Sequence, residues 1–176
     1  EAMRESTKEY FGQGPISLGY RLGHIRRDGR VFRAVVYNKS AVVLHMLRRL
    51  IGDEAFFSGL RRFYSTYRFK KAGAEDLQAA FEAGTSLKLD RFFDMWIRGF
   101  TRPVVRASFE NREEGGVFRI EQTRGVFDFP LTVSVQYADG KSEERTIRVT
   151  DRTVEERVPT PIRRVSVKDA LTPVDV

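Results

Sequence analysis

The sequence predicts an α+β protein in which a helical bundle over residues 1–102 precedes a small β-sandwich over residues 103–176. Two observations lead to this prediction. Apolar residues recur three and four positions apart as far as residue 98, which is typical of amphipathic helices, and they alternate with polar residues after Pro103, which is typical of strands. With 176 residues, 41% of them hydrophobic, the chain is long enough to bury a core, as one domain or as two small ones.

The first 35 residues carry the weakest pattern. Residues 1–11 are compatible with a short helix, and the segment after them is predicted to be loop because helix-breaking residues recur in it, namely Gly12, Gly14, Pro15, Gly19, Gly23 and Gly29. Glu1 stands where a Met would open a gene product, and no apolar leader follows Met3. We therefore expect a piece of a longer protein or a processed end.

Four helices are predicted next. The first covers residues 38–51, the second begins at Asp53 and includes Tyr67, and the third and fourth cover residues 74–83 and 90–98. Gly52 is a natural residue to follow the first helix, and Asp53 is a natural N-cap for the second. Gly99 ends the fourth helix. The side chains expected in the core of these helices are Phe56, Phe57, Leu60, Phe63, Tyr64, Tyr67, Leu77, Ala80, Phe81, Phe93, Trp96 and Ile97.

The pattern changes to that of strands after Pro103. Leu131, Val133 and Val135 alternate with polar residues, and Asp139-Gly140 is a hairpin signal that follows them. Other short runs typical of strands cover residues 104–109, 117–123, 153–158 and 162–168. About seven short strands of this kind favour a small β-sandwich.

One tyrosine stands where the first of the four predicted helices begins. Tyr37 lies in the sequence Val-Tyr-Asn-Lys-Ser-Ala, residues 36–41. The apolar positions of the helix that follows are Val43, Met46, Leu47 and Leu50, whereas Lys39, Arg48 and Arg49 are predicted on the opposite side. Spacing alone indicates a half-buried aromatic residue whose hydroxyl reaches water, and it does not make Tyr37 catalytic.

The motifs around Tyr37 resemble the M1 family of gluzincin zinc aminopeptidases. The resemblance covers residues 36–103 and begins with a Tyr-Xaa-Lys-Gly-Ala-like sequence in which Ser40 stands where the family commonly has Gly. The further motifs that match are Leu50 to Phe56, Leu60 with Phe63, Tyr64 and Tyr67, Glu75 to Leu77 with Ala80 to Glu82, and Leu89, Phe92, Phe93, Trp96 and Pro103.

This resemblance implies a parent enzyme that removes N-terminal residues from peptide substrates with the help of zinc. The helices would form the end of a thermolysin-like catalytic domain, and a β-sandwich domain follows that domain in the family. Tyr37 matches the family tyrosine that donates a hydrogen bond to the oxyanion of the tetrahedral intermediate. A phenol can make that donation because it keeps its proton at neutral pH.

The zinc ligands of the family are missing from this sequence. There is no cysteine, and the two histidines, His24 and His45, are not part of a His-Glu-Xaa-Xaa-His motif. We therefore expect no zinc in this chain, zinc in the parent protein, and a partnership with the upstream, zinc-binding half of the same protein. Both histidines are expected to be structural, the alternative being a separate two-histidine metal site.

The net charge of +7 arises in the first part of the chain, since residues 1–102 hold 19 Lys and Arg against 11 Asp and Glu. The basic pairs are Arg26-Arg27, Arg48-Arg49, Arg61-Arg62 and Lys70-Lys71. They favour a solvated helix surface, and a nucleic-acid partner is the less favoured interpretation because no nucleic-acid motif accompanies them. The alternative function from another class is an interaction module that binds a protein or nucleic acid through this basic face.

Two further expectations concern the surroundings of the chain. No apolar run approaches the roughly 18 residues that cross a bilayer, so no membrane span is predicted, and the compartment, cytoplasmic or secreted and periplasmic, is left open. If the missing half of the parent covers the helix after Tyr37, the chain alone would expose apolar surface and form a dimer or larger assembly through the helical part. The candidates for this surface are Val42, Val43 and Met46, together with those of Phe56, Phe57 and Phe63 that face the missing half.

Overall fold

A computed structural model of the chain describes residues 2–21, 23 and 27–176, with the backbone alone for Tyr20. The described residues form two compact units, Ala2–Thr101 and Arg102–Val176. The first unit is helical, and the second consists of strands. The predicted α+β class, a helical bundle followed by a small β-sandwich, is confirmed.

The helical unit contains six α-helices and four short segments of tighter or wider helix among its described residues. The α-helices are α1 (Ala2–Tyr10), α2 (Gly29–Phe32), α3 (Lys39–Ile51), α4 (Asp53–Tyr67), α5 (Ala74–Glu82) and α6 (Asp90–Phe93). Two 3₁₀ segments cover Phe11–Gln13 and Ile16–Arg21, within the stretch predicted to be loop. Two π-helical segments cover Arg33–Asn38 and Asp94–Arg98.

The helical path that leads to α3 begins earlier than predicted. Asp28 caps α2, because its Oδ1 accepts hydrogen bonds from the backbone N–H groups of Arg30 (2.8 Å) and Val31 (3.3 Å). Helix then continues from Gly29 through the first π-helical segment into α3. The predicted start at Asn38 is therefore wrong, and Tyr37 lies inside a continuous helical stretch rather than at its N-terminus.

The junction between α3 and α4 is partly as predicted. Gly52 ends α3, and its N–H donates to the carbonyl of Arg48 at 2.9 Å. Asp53 is not the N-cap of α4 but its first residue, so that prediction is wrong. Its carboxylate accepts two hydrogen bonds of 2.7 Å from the guanidinium of Arg48 instead of binding backbone N–H groups.

The core of the helical unit is rich in aromatic rings. Its fully buried large side chains are Phe11, Lys39, Met46, Leu47, Phe81, Leu89, Phe92, Phe93 and Trp96. Two aromatic residues predicted to be buried, Phe57 and Tyr64, are exposed by 42% and 66%. In contrast, the residues expected to be bare, Val42, Val43 and Met46, are all buried within this unit, so that expectation is wrong as well.

The second unit, which is described without a gap, holds six strands rather than about seven. They are β1 (Val104–Arg112), β2 (Gly115–Arg124), β3 (Phe129–Tyr137), β4 (Ser142–Val149), β5 (Thr153–Val158) and β6 (Ile162–Val167). They form two antiparallel sheets with the orders β1-β2-β5 and β4-β3-β6. The predicted hairpin at Asp139-Gly140 joins β3 to β4, where the Gly140 N–H donates to the carbonyl of Tyr137.

The core of the second unit comes from alternate residues of both sheets. Its fully covered side chains include Phe118, Ile120, Phe129, Leu131, Val133, Val135 and Val149. Asp128 is buried beside them and forms two hydrogen bonds, of 2.9 and 2.6 Å, with the guanidinium of Arg148. Within the part of the chain described, no helix is both long and apolar enough to cross a membrane.

Candidate active site

Tyr37 lies in the first π-helical segment, Arg33–Asn38, between α2 and α3. The turn is wider than an α-helical turn, because the backbone N–H of Lys39 donates to the carbonyl of Ala34, five residues earlier. Single π-turns of this kind inside α-helices occur frequently at functional sites.

The wide turn sets Tyr37 against the ring of Phe32. Residues five apart on an α-helix point about 140° away from each other, whereas a π-turn brings them to the same face. The two ring centroids are 5.8 Å apart and the rings meet edge to face at 68°. Phe32 in turn packs, together with Tyr10, against the buried pair Val31 and Val35. The ring of Tyr37 therefore has a fixed support at its base.

The other end of the Tyr37 side chain is free. The side chain is 62% exposed, and its hydroxyl has no hydrogen-bond partner among the residues that the structure describes. The neighbouring side chains differ from Tyr37 in this respect. The Asn38 amide donates a hydrogen bond to Ser6 Oγ at 3.0 Å, and Ser40 is half-buried. The arrangement presents one phenol O–H, as a hydrogen-bond donor, at the surface of a packed helix.

Lys39 is buried rather than exposed, so its predicted place on the polar side of α3 is wrong. The side chain is 1% exposed. Its Nζ donates to the carbonyls of Gly99 (3.0 Å) and Gly14 (3.3 Å) and lies 3.8 Å from the centroid of the Phe11 ring. Burial lowers the pKa of the Lys39 ammonium to about 8.

Sequence reasoning missed Lys39, although its spacing contained the signal. Lys39 precedes the buried residues Val42, Val43 and Met46 by three, four and seven positions, which places it on the apolar stripe of α3. A lysine is almost never fully buried, so the residue type alone points to the polar side.

The two histidines have different outcomes. His24 lies outside the described residues. His45 is half-buried on α3, close enough to Asp53 to help lower the pKa of that carboxyl, whose largest stabilising partner is Arg48. In residues 2–21, 23 and 27–176, no group of three or more His, Cys, Asp or Glu side chains could hold a metal. The described residues therefore do not fit a catalytic zinc, which takes three protein ligands.

Two arginines of the described basic pairs, Arg48 and Arg62, make contacts within the helical unit. Arg48 binds Asp53 and also lies over the ring of Phe57, 5.0 Å from its centroid. Arg62 donates to the carbonyl of Ala80 at 2.8 Å. Lys70 and Lys71 are exposed, and Arg26 lies outside the described residues. The alternative function, binding of a partner through a basic face, stays a prediction.

The fold is that of a solved aminopeptidase. The crystal structure of Legionella pneumophila aminopeptidase A in complex with aspartic acid superimposes with a TM-score of 0.72 over 82% of this chain and 18% of that chain, at 18% sequence identity. This comparison shows the class of fold, namely a helical unit followed by a β-sandwich.

The family follows from the sequence. The model of the peptidase family M1 domain matches residues 5–96, just over half of the chain and a range that includes Tyr37 and Lys39. The chain belongs to the peptidase family M1, and the resemblance drawn from the motifs is confirmed.

Curated relatives carry the same assignment. Aminopeptidase M1 of Arabidopsis thaliana is 30% identical over 110 residues, which cover 62% of this chain and 12% of that protein. Aminopeptidase N of Lactobacillus delbrueckii subsp. lactis is 36% identical over 78 residues, or 44% of this chain and 9% of that protein. The chain thus spans about a tenth of the length of these relatives.

Proposed function

We propose that this chain is part of an aminopeptidase that hydrolyses N-terminal residues from peptides, and that Tyr37 stabilises the oxyanion in that reaction. The observation that carries the proposal is the exposed Tyr37 side chain, whose ring rests on Phe32 while its hydroxyl has no partner in the described chain. Membership of the M1 family supports the reaction class.

The chemistry of peptide hydrolysis gives such a hydroxyl a role. When the scissile carbonyl is attacked, negative charge gathers on its oxygen, and a donor already aimed at that position stabilises the transition state more than the substrate. A phenol on a supported ring needs little rearrangement to make this hydrogen bond. Tyr37 would donate its O–H to the oxyanion and keep its proton throughout.

We further propose that the complete protein depends on zinc bound by residues outside this sequence. Zinc sites of hydrolases take three protein ligands, usually His and Glu, and leave a position open for water or substrate. The contribution of the present chain would be Tyr37 and the packed helix that holds it.

Substitution of Tyr37 by Phe in the complete gene product tests the proposal. Because the hydroxyl would meet only the oxyanion, we expect kcat and kcat/KM to fall together by roughly 10²- to 10³-fold, with KM nearly unchanged. Steady-state kinetics with an aminoacyl anilide, together with the zinc content of each variant, measures the effect.

Tyr64→Phe is the matched control. Tyr64 belongs to the same unit, is 66% exposed and has no catalytic assignment, so the same loss of a hydroxyl should leave kcat within about twofold. A Tyr37→Phe enzyme with near-normal kcat would contradict the role of Tyr37. So would an enzyme that loses activity only through loss of zinc.

A second experiment concerns the chain by itself. Because its described residues provide no metal-binding group, we infer that the 176-residue chain neither retains zinc nor hydrolyses aminoacyl substrates. Elemental analysis after dialysis and an anilide assay at high protein concentration test this. One bound zinc per chain, or turnover that survives repurification, would overturn the inference.

A further inference from the structure

We propose that Lys39 is a positioning residue for Tyr37, because its buried side chain ties the helix that carries Tyr37 to the backbone carbonyls of Gly14 and Gly99. The inference rests on the proposed role of Tyr37 in the reaction. Lys39 itself lies inside the unit, so it acts through the position of Tyr37 and not by contact with substrate.

Packing alone does not explain a lysine at this position. The side chain is 1% exposed, and no carboxylate within the described ranges lies at ion-pair distance from Nζ. An ammonium group placed in such an environment loses its water and gains no opposite charge. A methionine would fill nearly the same volume without that penalty. The polar contacts of Nζ are therefore what distinguishes Lys39 from an apolar residue.

These contacts join Lys39 to two other segments of the unit. Gly14 follows the 3₁₀ segment Phe11–Gln13, and Gly99 follows the second π-helical segment, Asp94–Arg98. Carbonyls that follow the end of a helical turn lack an intrahelical partner and attract cations. The ring of Phe11 lies under the ammonium, and its edge meets Trp96 with 5.9 Å between the ring centroids.

The two acceptors stand on backbone that requires glycine. Gly14 has a φ of 151°, which favours residues without a side chain. At Gly99, an added Cβ would fall well inside contact distance of the Met95 carbonyl oxygen. A side chain at either glycine would disturb the local backbone and hence the position of the carbonyl. Glycine at both positions therefore keeps the two carbonyls where they can accept hydrogen bonds from the Lys39 ammonium.

The anchor of Lys39 fixes Tyr37 through helix geometry. Residues two apart on a helix point to nearly opposite sides, so holding Lys39 inward directs Tyr37 outward. The backbone N–H of Lys39 also closes the wide turn by donating to Ala34 O, and that turn places Tyr37 over Phe32. Lys39 therefore restrains the rotation of the helix and the shape of the turn together.

A double-mutant cycle in the complete gene product tests the proposal. A catalytic group displaced by about 1 Å can lose up to 10²-fold in rate, so we expect Lys39→Met to lower kcat by about 10- to 100-fold while KM changes by less than about twofold. If Lys39 acts through Tyr37, Lys39→Met should cause no further loss in a Tyr37→Phe background.

Gln78→Met is the matched control for loss of a buried polar contact. Gln78 is buried in the same unit and donates to Asp90 (2.9 Å) and Glu82 (3.2 Å). Its effect on kcat should be the same with Tyr37 and with Phe at position 37. Where Tyr37→Phe itself lowers kcat, the proposal is overturned if Lys39→Met leaves kcat unchanged, or if it lowers kcat equally in both backgrounds.

A readout independent of activity separates this proposal from the proposed function. With 3-fluorotyrosine incorporated, the ¹⁹F signal of Tyr37 is identified by its loss in Tyr37→Phe. We expect Lys39→Met to shift or broaden that signal while the other tyrosine signals and the Gln78→Met spectrum stay unchanged.

The two failures have different signatures. If Tyr37→Phe keeps its kcat, the catalytic role fails while the ¹⁹F signal still decides the positioning role; an unperturbed Tyr37 signal in Lys39→Met overturns the positioning role. Should Lys39→Met not fold, Lys39→Gln, which is shorter and uncharged, takes its place, and a folded Lys39→Gln with no coupling to Tyr37→Phe overturns the proposal.

Discussion

At the scale of the single residue, two carbonyl oxygens and the face of one aromatic ring surround the ammonium group of Lys39. These groups do not fully replace water, and burial lowers the pKa of Lys39 from 10.5 to about 8. The folded chain therefore binds this proton less tightly than the unfolded chain does. Between pH 8 and 10.5 the unfolded state carries more protons at this site, so the contribution of Lys39 to stability rises with pH in that window.

The difference in unfolding free energy between the wild-type chain and Lys39→Met should follow this titration. We expect the wild type to gain on the order of 1–3 kcal/mol relative to Lys39→Met between about pH 8 and 10, since one pKa unit corresponds to about 1.4 kcal/mol. The tyrosines titrate in both proteins, so their effect cancels in the difference. The single tryptophan, Trp96, is buried against Phe11, and its fluorescence reports this core during urea unfolding.

The pH dependence of this free-energy difference can also contradict the expectation. A difference that stays constant, or that falls as the pH rises, would mean that the fold binds the charged ammonium at least as well as water does. The pH series should stop at about 10, below the region in which most lysines lose their charge in both states.

The sequence was sufficient to select Tyr37 but not to describe its surroundings. The motif around residues 36–41 singled out Tyr37 because it resembles a family in which that tyrosine has a known place. No motif could supply its exposure, its contact with Phe32 or the absence of a hydroxyl partner among the described residues, since these depend on residues brought together by folding. The spacing of Lys39 is compatible with burial, but the carbonyls that accept from its Nζ belong to Gly14 and Gly99, which lie 25 and 60 residues away.

At the scale of the element, the two π-helical segments bring the site together. The first, Arg33–Asn38, carries Tyr37, and the second, Asp94–Arg98, ends next to the Gly99 carbonyl that receives Lys39. Each continues directly from a four-residue α-helix, α2 or α6. A wide turn shifts the helix face by a fraction of a turn, which changes the side chains that can meet across it.

Substitution of Gly99 by Ala should loosen the second of these segments. The new Cβ would collide with the Met95 carbonyl oxygen and crowd that of Asp94, so the end of the segment must move. We expect a loss of about 1–3 kcal/mol in unfolding free energy, the usual cost of overpacking. Gly12→Ala is the control, because nothing lies within 4 Å of its added Cβ, and its effect should stay within about 0.5 kcal/mol.

Urea unfolding followed by Trp96 fluorescence measures both variants. Equal stability of Gly99→Ala and Gly12→Ala would show that the backbone at Gly99 adapts without cost and that its carbonyl is not held in place. In that case the hydrogen bond from Lys39 Nζ to the Gly99 carbonyl would not fix the position of α3, and only the one to the Gly14 carbonyl could do so.

Element bounds were predictable where the apolar period was long and clear. The helix predicted to start at the N-cap Asp53 is α4, which begins with Asp53 itself, and the helix predicted over residues 74–83 is α5, with a difference of one residue. The start at Gly29 was missed because Asp28-Gly29 is also a turn signal, and the same two residues can cap a helix or form a turn. Neither π-turn was predicted, because one wide turn does not alter the period of a whole helix.

At the scale of the whole molecule, the chain spans a small share of the length of its relatives. It spans 12% and 9% of the two curated relatives from Arabidopsis thaliana and Lactobacillus delbrueckii. Its own core covers the side chains Val42, Val43 and Met46, so a charge at Val43 would disrupt folding rather than an interface. Of the other candidates for the uncovered surface, Phe57 on α4 is exposed, and it lies seven residues from the exposed Tyr64 and hence on the same helix face.

We expect the isolated chain to self-associate weakly through this face of α4. Burial of exposed aromatic surface contributes about 25 cal/mol per Å², and Phe57 and Tyr64 are 42% and 66% exposed. Sedimentation velocity over a range of concentrations should therefore show a reversible dimer or larger species, which Phe57→Glu combined with Tyr64→Glu should abolish. Ser58→Glu, an added charge on the same helix, should leave the association unchanged. A wild-type chain that sediments as a monomer at every concentration would contradict the expectation, and an equal effect of Ser58→Glu would point to charge rather than to this aromatic face.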